Sequence, residues 1–368
     1  MKIEAIELHR VAMPVIYPFR TAYGDGHVIE SVLVRMSAEG LDGWGETTPW
    51  ESPLYSPEWA GGVFALIRDW LAPRLLGQEI DSGEALQQRL APFKANPFAK
   101  AGLDLAWWDL EAKRREMPLW KLLGGRGDTI EVGADFGVMD TIPELLDTIG
   151  GAVEAGFPRV KLKFRPGWDV EMVGSVREAF PELVMHVDCN SGYRLRDLPV
   201  FEALDSLGLA MIEQPLRHDD LLDHAELQRQ LKTPLCLDES IVSLERTRQA
   251  IDLGACGWIN LKPARVGGLT PAVQILREAE KGGIPCWVGG MLESAVGACH
   301  CIALATLPNI GYPADIFPSS RFYRKDLSVP EIELSAPGRI RALPGPGIGC
   351  VPDRGELERL VVESCRLG

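Results

Sequence analysis

Between Arg159 and Lys262 the chain reads RVKLKF (159–164), LVMHVD (183–188), LAMIEQ (209–214), PLCLDE (234–239) and GWINLK (257–262). Each segment is a short, largely apolar run, the pattern of a strand buried on both faces of a parallel sheet. Each carries an ionisable residue near its end: Lys163, Asp188, Glu213, Asp238 and Lys262. The intervals between these five are 25, 25, 25 and 24 residues, about the length of one strand–helix unit of a closed β/α barrel. The spacing therefore predicts five functional groups at the same end of five successive strands.

Working outward, IEVGADF (130–136), IPCWVG (284–289) and NIGYPAD (309–315) supply further strands, and TIPELLDTIGGAVEAG (141–156), LERTRQAIDLG (244–254) and TPAVQILREAEKGG (270–283) read as helices between strands. Repeated βα units of this number predict the α/β class and a modified TIM barrel, (β/α)7β. Residues 1–50 alternate apolar and polar like strands, broken by the turn-prone YGDGH at 23–27, and 58–123 read as helical. In that helical region Trp107, Trp108 and Leu110 read as core. The tail after 317 is rich in Pro and Gly and is expected to end in a short helix. The expected division is an α+β capping domain at 1–125, the barrel at 126–317, and a segment at 318–368 that packs on the capping domain.

The chain has 368 residues, 46% hydrophobic and 24% charged, with a net charge of −14. This acidity argues against a nucleic-acid or anionic-membrane partner. No apolar run reaches the roughly 20 residues of a membrane span, and the stretch MKIEAIELHRVAMP (1–14) alternates like a strand and reads as lacking the apolar region of a signal peptide. Eight cysteines in a chain of this length do not make a disulfide scaffold. Cys189, Cys236, Cys256, Cys286, Cys299 and Cys301 read as buried thiols of a cytoplasmic protein. His218 and His224 read as lying on an exposed helix start.

In a β/α barrel the chemistry sits at the C-terminal ends of the strands. Asp188, Glu213 and Asp238 converging there would repel unless a cation neutralised them. An all-carboxylate set suits Mg²⁺ first and Mn²⁺ next. Lys161 and Lys163, two apart on one strand, point to one face, opposite to Val160, Leu162 and Phe164. Two inward lysines near a metal are expected to have lowered pKa values, as a general base needs. Lys262 faces them from across the barrel.

These residues, with VDCNSGY (187–193), IEQP (212–215), LDES (237–240), LKPARVGG (261–268), GGMLES (289–294) and AGLDLAWWDLEAK (101–113), resemble the enolase superfamily in its muconate-lactonising branch. Within it, PGWD (166–169), the run from IEQP to LDES and GGMLES look most like o-succinylbenzoate synthases and N-succinylamino acid racemases. The resemblance implies metal ligation by Asp188, Glu213 and Asp238, and acid/base roles for Lys163 and Lys262 in removing a proton α to a carboxylate through an enediolate. It implies supporting roles for Lys161, Asn190 and Glu239, and a homo-oligomer acting on a small carboxylate substrate. It also places specificity loops at about 16–24 and 46–56, with Arg20 and Tyr55 as candidate substrate contacts beside Gly290, Met291, Leu292, Glu293 and Ser294.

Arg265, three residues after Lys262, is expected either to tune that lysine or to form an interface ion pair. Asp135 departs from the small or hydroxyl residue expected there, and Ala298 from an expected Arg; a carboxylate at 135 would repel an acidic substrate tail and favour a cationic group. Other readings on this barrel are a muconate cycloisomerase, a dipeptide epimerase, which would use an acidic pair in the seventh-to-eighth strand region where only Asp315 stands, with Asp135 as an unexpected second acid, or a Schiff-base lyase that would not need three carboxylates.

Overall fold

The computed structural model describes residues 1–21 and 24–368. The N-terminal strands Ala5–Thr21, Gly24–Ala38 and Leu41–Thr47 form an antiparallel sheet. Helix Pro97–Arg114 lies directly on it. A Cβ at Gly43 would come within 2.1 Å of Ala106 O, and one at Gly45 within 2.4 Å of Gly102 O. Only glycines at these two positions let helix backbone and strand touch. Trp107 is buried, and Trp108 Nε1 donates to Thr270 Oγ1 at 2.9 Å; both tryptophans are packing residues, as expected, and the second joins the helix to the barrel.

Among the described residues, seven parallel strands follow in chain order: Ala134–Phe136, Val160–Lys163, Met185–Asp188, Ile212–Glu213, Leu235–Leu237, Trp258–Leu261 and Cys286–Val288. The segment NIGYPAD closes the ring through single parallel bridges, Ile310 to Cys286 and Ala314 to Val132. Three of the outer helices, Ile142–Glu154, Leu221–Gln230 and Leu244–Leu253, start at side-chain caps. Thr141, Asp220 and Ser243 each accept from a backbone N–H three residues on.

The tail differs from expectation. Helix Arg354–Leu360 is present, but Val361–Leu367 is a strand that pairs antiparallel with Ala5–Thr21. Its alternation, VVESCRL, is a strand signal that the sheet edge completes. The strand Arg339–Arg341 pairs instead with Thr129–Glu131 beside the barrel. The six cysteines expected to be buried are buried free thiols. No helix among the described residues is long and apolar enough to cross a membrane.

Candidate active site

Lys163 is the last residue of the second barrel strand and pairs in register with Asp188, which pairs in turn with Glu213. Asp238 and Lys262 each follow directly on the last residue of their strands, Leu237 and Leu261. All five are buried at one end of the barrel. Parallel pairing of equal-length units is what aligns them.

The carboxylates are held by cations. Lys163 Nζ donates to Asp188 Oδ2 at 2.7 Å and to Asn190 Oδ1 at 2.9 Å. Lys161 Nζ lies 3.0 Å from both Asp188 Oδ2 and Glu213 Oε2, and donates to Asp315 Oδ2 at 3.1 Å. Asn260 Nδ2 donates to Glu213 Oε1 at 2.7 Å. Lys262 Nζ donates to Asp238 Oδ2 at 3.1 Å, and Arg265 forms a short ion pair with Asp238 Oδ1. Asn190, held at a φ of 41°, also donates to Asp188 and Glu239. That left-handed turn, which Asn tolerates better than most residues, aims its amide back into the site.

The capping domain reaches in through Tyr55. Its hydroxyl donates to Asp238 Oδ2 at 3.2 Å and accepts from Lys262 Nζ at 3.2 Å and Arg265 Nη1 at 3.1 Å. Trp50 Nε1 donates to Met291 O, and Met291 Sδ lies 3.5 Å from Lys262 Nζ. Gly289 is obligatory: a Cβ there would stand 2.3 Å from Asn260 Oδ1 and 2.7 Å from Lys262 Cε.

For Lys161 the direction of the pKa shift is the opposite of the expected one. Burial pushes the Lys161 ammonium down, but Asp188, Asp315, Glu213 and Asp135 together raise it well above its ordinary value. Lys262 is raised likewise, Asp238 and Tyr55 overcoming burial. The anticipated mutual repulsion of the amines is outweighed because Lys161 and Lys262 each lie against carboxylates.

The other candidates fall in several places. Arg20 donates to Asp140 Oδ1 at 2.7 Å in an exposed pair. Of the expected loop 16–24, Ala22 and Tyr23 lie outside the described residues, and the flanks are strand. Asp135 does not stand in the mouth as a free anion: Arg159 Nη1 donates to it at 3.2 Å. Burial, with Asp315 nearby, pushes its carboxyl up to about 7. Arg159 also forms a short pair with Asp315, so the two acids bind a guanidinium of the protein itself.

Gly290 packs its backbone on Asp315 O, and Leu292 adopts a φ of 62°. Glu293 turns back to accept from Met291 N at 2.8 Å. Ser294 donates through Oγ to Glu46 Oε2 at 2.6 Å, tying the barrel loop to the capping sheet. His224 is buried, contrary to expectation: its Nε2 accepts from Leu216 N at 3.3 Å and so braces the loop after Glu213. Sequence reasoning missed Arg159, although alternation places residues 159, 161 and 163 on one face. It also missed Asn260, which shares a face with Lys262.

The residues present fit a divalent cation by donor chemistry. Asp188, Glu213 and Asp238 offer hard oxygens. Among the described residues they are spread between their cationic partners and form no ready cluster. Buried Asp135, Asp188, Glu213, Asp238, Glu239 and Asp315 outnumber buried Arg159, Lys161, Lys163, Lys262 and Arg265.

Residues 3–124 match the family "Mandelate racemase / muconate lactonizing enzyme, N-terminal domain", and residues 144–356 match "Enolase C-terminal domain-like". The chain belongs to the enolase superfamily, whose members use a divalent metal, and it is an enzyme. It is 44% identical over 350 residues to an N-succinylamino acid racemase of Thermus thermophilus, covering 95% of this chain and 94% of the relative. It is 43% identical over 360 residues to an o-succinylbenzoate synthase of Geobacillus kaustophilus, covering 98% and 96%. A crystal structure of an enolase-superfamily protein from Listeria innocua superposes with a TM-score of 0.96 at 36% identity, covering 100% of this chain and 99% of that one.

Proposed function

We propose that the enzyme removes the proton α to a substrate carboxylate and acts as an N-succinylamino acid racemase, an o-succinylbenzoate synthase, or both. The observation that carries this reading is the placement of Lys163 and Lys262 at the ends of the second and sixth barrel strands, each bonded to a different carboxylate of one buried group. Lys163 takes the α proton from one face. Lys262 returns a proton on the opposite face in racemisation, or stabilises charge there in dehydration. Asp188, Glu213 and Asp238 would hold Mg²⁺, which supplies positive charge for the enediolate left when the proton departs. Lys161 keeps Asp188 and Glu213 together, and Tyr55 shields Lys262 and Asp238 from water. A dipeptide epimerase is disfavoured because Asp135 and Asp315 are already bound by Arg159.

We also propose the domain division 1–125, 126–317 and 318–368, supported by the pairing of Val361–Leu367 with the capping sheet.

The test is α-proton exchange of N-succinyl-L-phenylalanine in deuterated buffer with Mg²⁺. Lys163→Ala and Lys262→Ala should each abolish racemisation, and the variant that lacks the lysine on the face bearing the α proton should also lower the exchange rate by about a thousandfold or more. Exchange at the parent rate in both variants would refute the assignment.

A further inference from the structure

Asp188, Glu213 and Asp238 stand on three different strands, and one residue joins the loops that follow them. Gln214 comes directly after Glu213 and is fully buried. Its main chain bonds to both neighbours: Gln214 N donates to Cys236 O and Gln214 O accepts from Ser191 N, each at 2.8 Å. Ser191 and Gln214, the two ends of the second bond, have φ values of 63° and 38°. A residue other than glycine keeps this left-handed conformation only where its surroundings hold it.

The side chain of Gln214 crosses to the loop after the fifth strand. Its Oε1 accepts from Asp238 N at 2.9 Å and from Ser240 N at 3.1 Å. Its Nε2 donates to Ser240 Oγ at 2.8 Å and to Leu216 O at 3.1 Å. These partners fix which end of the amide is which. A backbone N–H can only donate, so it faces the oxygen, and a backbone carbonyl can only accept, so it faces the nitrogen. The amide therefore has a partner for each of its donors and for both acceptor positions of its oxygen.

The turn that receives the amide begins at Asp238 itself and is closed by Ile241 N donating to Asp238 O at 3.0 Å. Lys262 and Arg265 hold the Asp238 carboxylate, and Gln214 holds its main chain. On the other side Ser191 lies three residues after Asp188, and Asn190 between them bonds back to that carboxylate. One side chain and its own main chain thus tie together the segments that carry all three acids.

We infer that Gln214 is a positioning residue that fixes the spacing of Asp188, Glu213 and Asp238 and thereby makes the centre select Mg²⁺ over the larger Ca²⁺. The inference rests on the proposed function for the identity of the metal ligands. Mg²⁺ demands near-ideal octahedral ligands at about 2.1 Å, whereas Ca²⁺ accepts oxygens at about 2.3–2.6 Å in flexible arrangements. A loosened frame costs the smaller ion more.

The experiment is calorimetric titration with Mg²⁺ alone and with Ca²⁺ alone, without substrate. Gln214→Met fills a similar volume without hydrogen-bonding groups. Gln214→Asn keeps the amide and tolerates the left-handed backbone, but it is one methylene short of the Asp238–Ser240 turn. In both variants Mg²⁺ should bind about ten- to a hundredfold more weakly than in the parent, the range for removing a group that orients a metal ligand. Ca²⁺ affinity should change less than about threefold, because its coordination adapts. Ser240→Ala removes one acceptor of the amide and should shift the ratio of the two affinities the same way by a smaller factor. Thermal melts check folding, and Ser240→Ala decides the matter if neither Gln214 variant folds. An equal loss for both cations, or Mg²⁺ binding at parent affinity, overturns the inference. Asp238→Asn separates the two readings. Mg²⁺ binding that Asp238→Asn leaves intact sinks the ligand assignment. Binding that Asp238→Asn weakens, with an unchanged ratio in the Gln214 variants, sinks the role of Gln214 alone.

Discussion

Arg159 and Asp315, 156 positions apart in sequence, form a fully buried ion pair inside the barrel. The other carboxylate oxygen of Asp315 accepts from Lys161, which holds Asp188 and Glu213. A continuous chain of charge thus runs from Asp135 to the residues proposed to hold the metal.

Removing Arg159 breaks this chain at its source. Arg159→Met leaves Asp135 buried without its cation and Asp315 with Lys161 alone. The expected cost is about 3–5 kcal/mol, the range for breaking a buried pair by removing one partner. Urea unfolding of parent and variant measures it. Arg159→Met combined with Asp135→Ser should recover part of the loss, because one uncompensated carboxylate is gone.

Gly289 sets the position of Lys262. In Gly289→Ala the new methyl meets Asn260 Oδ1 and Lys262 Cε, and displacing a catalytic group by about 1 Å costs on the order of a hundredfold in rate. The expected result is a fall of that size in kcat for α-proton exchange. The thermal midpoint should drop by less than in Arg159→Met.

Metal dependence follows from the carboxylate set. Chelation should abolish exchange, and Mg²⁺ should restore it. Asp238→Asn should weaken Mg²⁺ binding by about tenfold or more in a calorimetric titration, since one anionic donor is lost. Mg²⁺ binding at parent affinity in that variant would remove Asp238 from the ligand set.

Stability should carry a pH signature from Glu58. Its oxygens accept from Phe98 N at 2.9 Å and Ala99 N at 3.0 Å, at the start of helix Pro97–Arg114. Burial nevertheless outweighs these bonds and raises its carboxyl from 4.5 to about 7. The folded state therefore binds a proton more tightly than the unfolded state. Stability from this group is complete below about 4.5 and is lost as pH rises through about 7, amounting to at most about 3 kcal/mol. Denaturant unfolding between pH 4.5 and 7.5 should show the decline, and Glu58→Gln should lessen it, leaving the part contributed by Glu46, Asp104 and Asp135, which burial raises in the same way.

The barrel and its five-group register were legible because both are local. Strand length and apolar continuity are written in a few consecutive residues, and a repeat near 25 residues leaves little choice of topology. The final strand was only partly legible: VVESCRL alternates as a strand does, but Val361–Leu367 finds its partner only in the edge formed by residues 5–21.

Among the site residues, alternation along one strand was enough to place Lys161 and Lys163 inward. It places Arg159 inward as well, yet the use of that arginine depends on residues 135 and 315, brought beside it only when the ring closes. The same holds for Asp135, Arg20 and Ser294, whose partners come from other strands or the other domain. Sequence by itself determined the strand period, the set of charged groups at one barrel end and the face they share, since these follow from backbone geometry. The tertiary structure alone decided which charge neutralises which. Inside a protein the energy of a charge pair depends on separations near 3 Å between groups distant in the chain, and no spacing in the sequence encodes those distances.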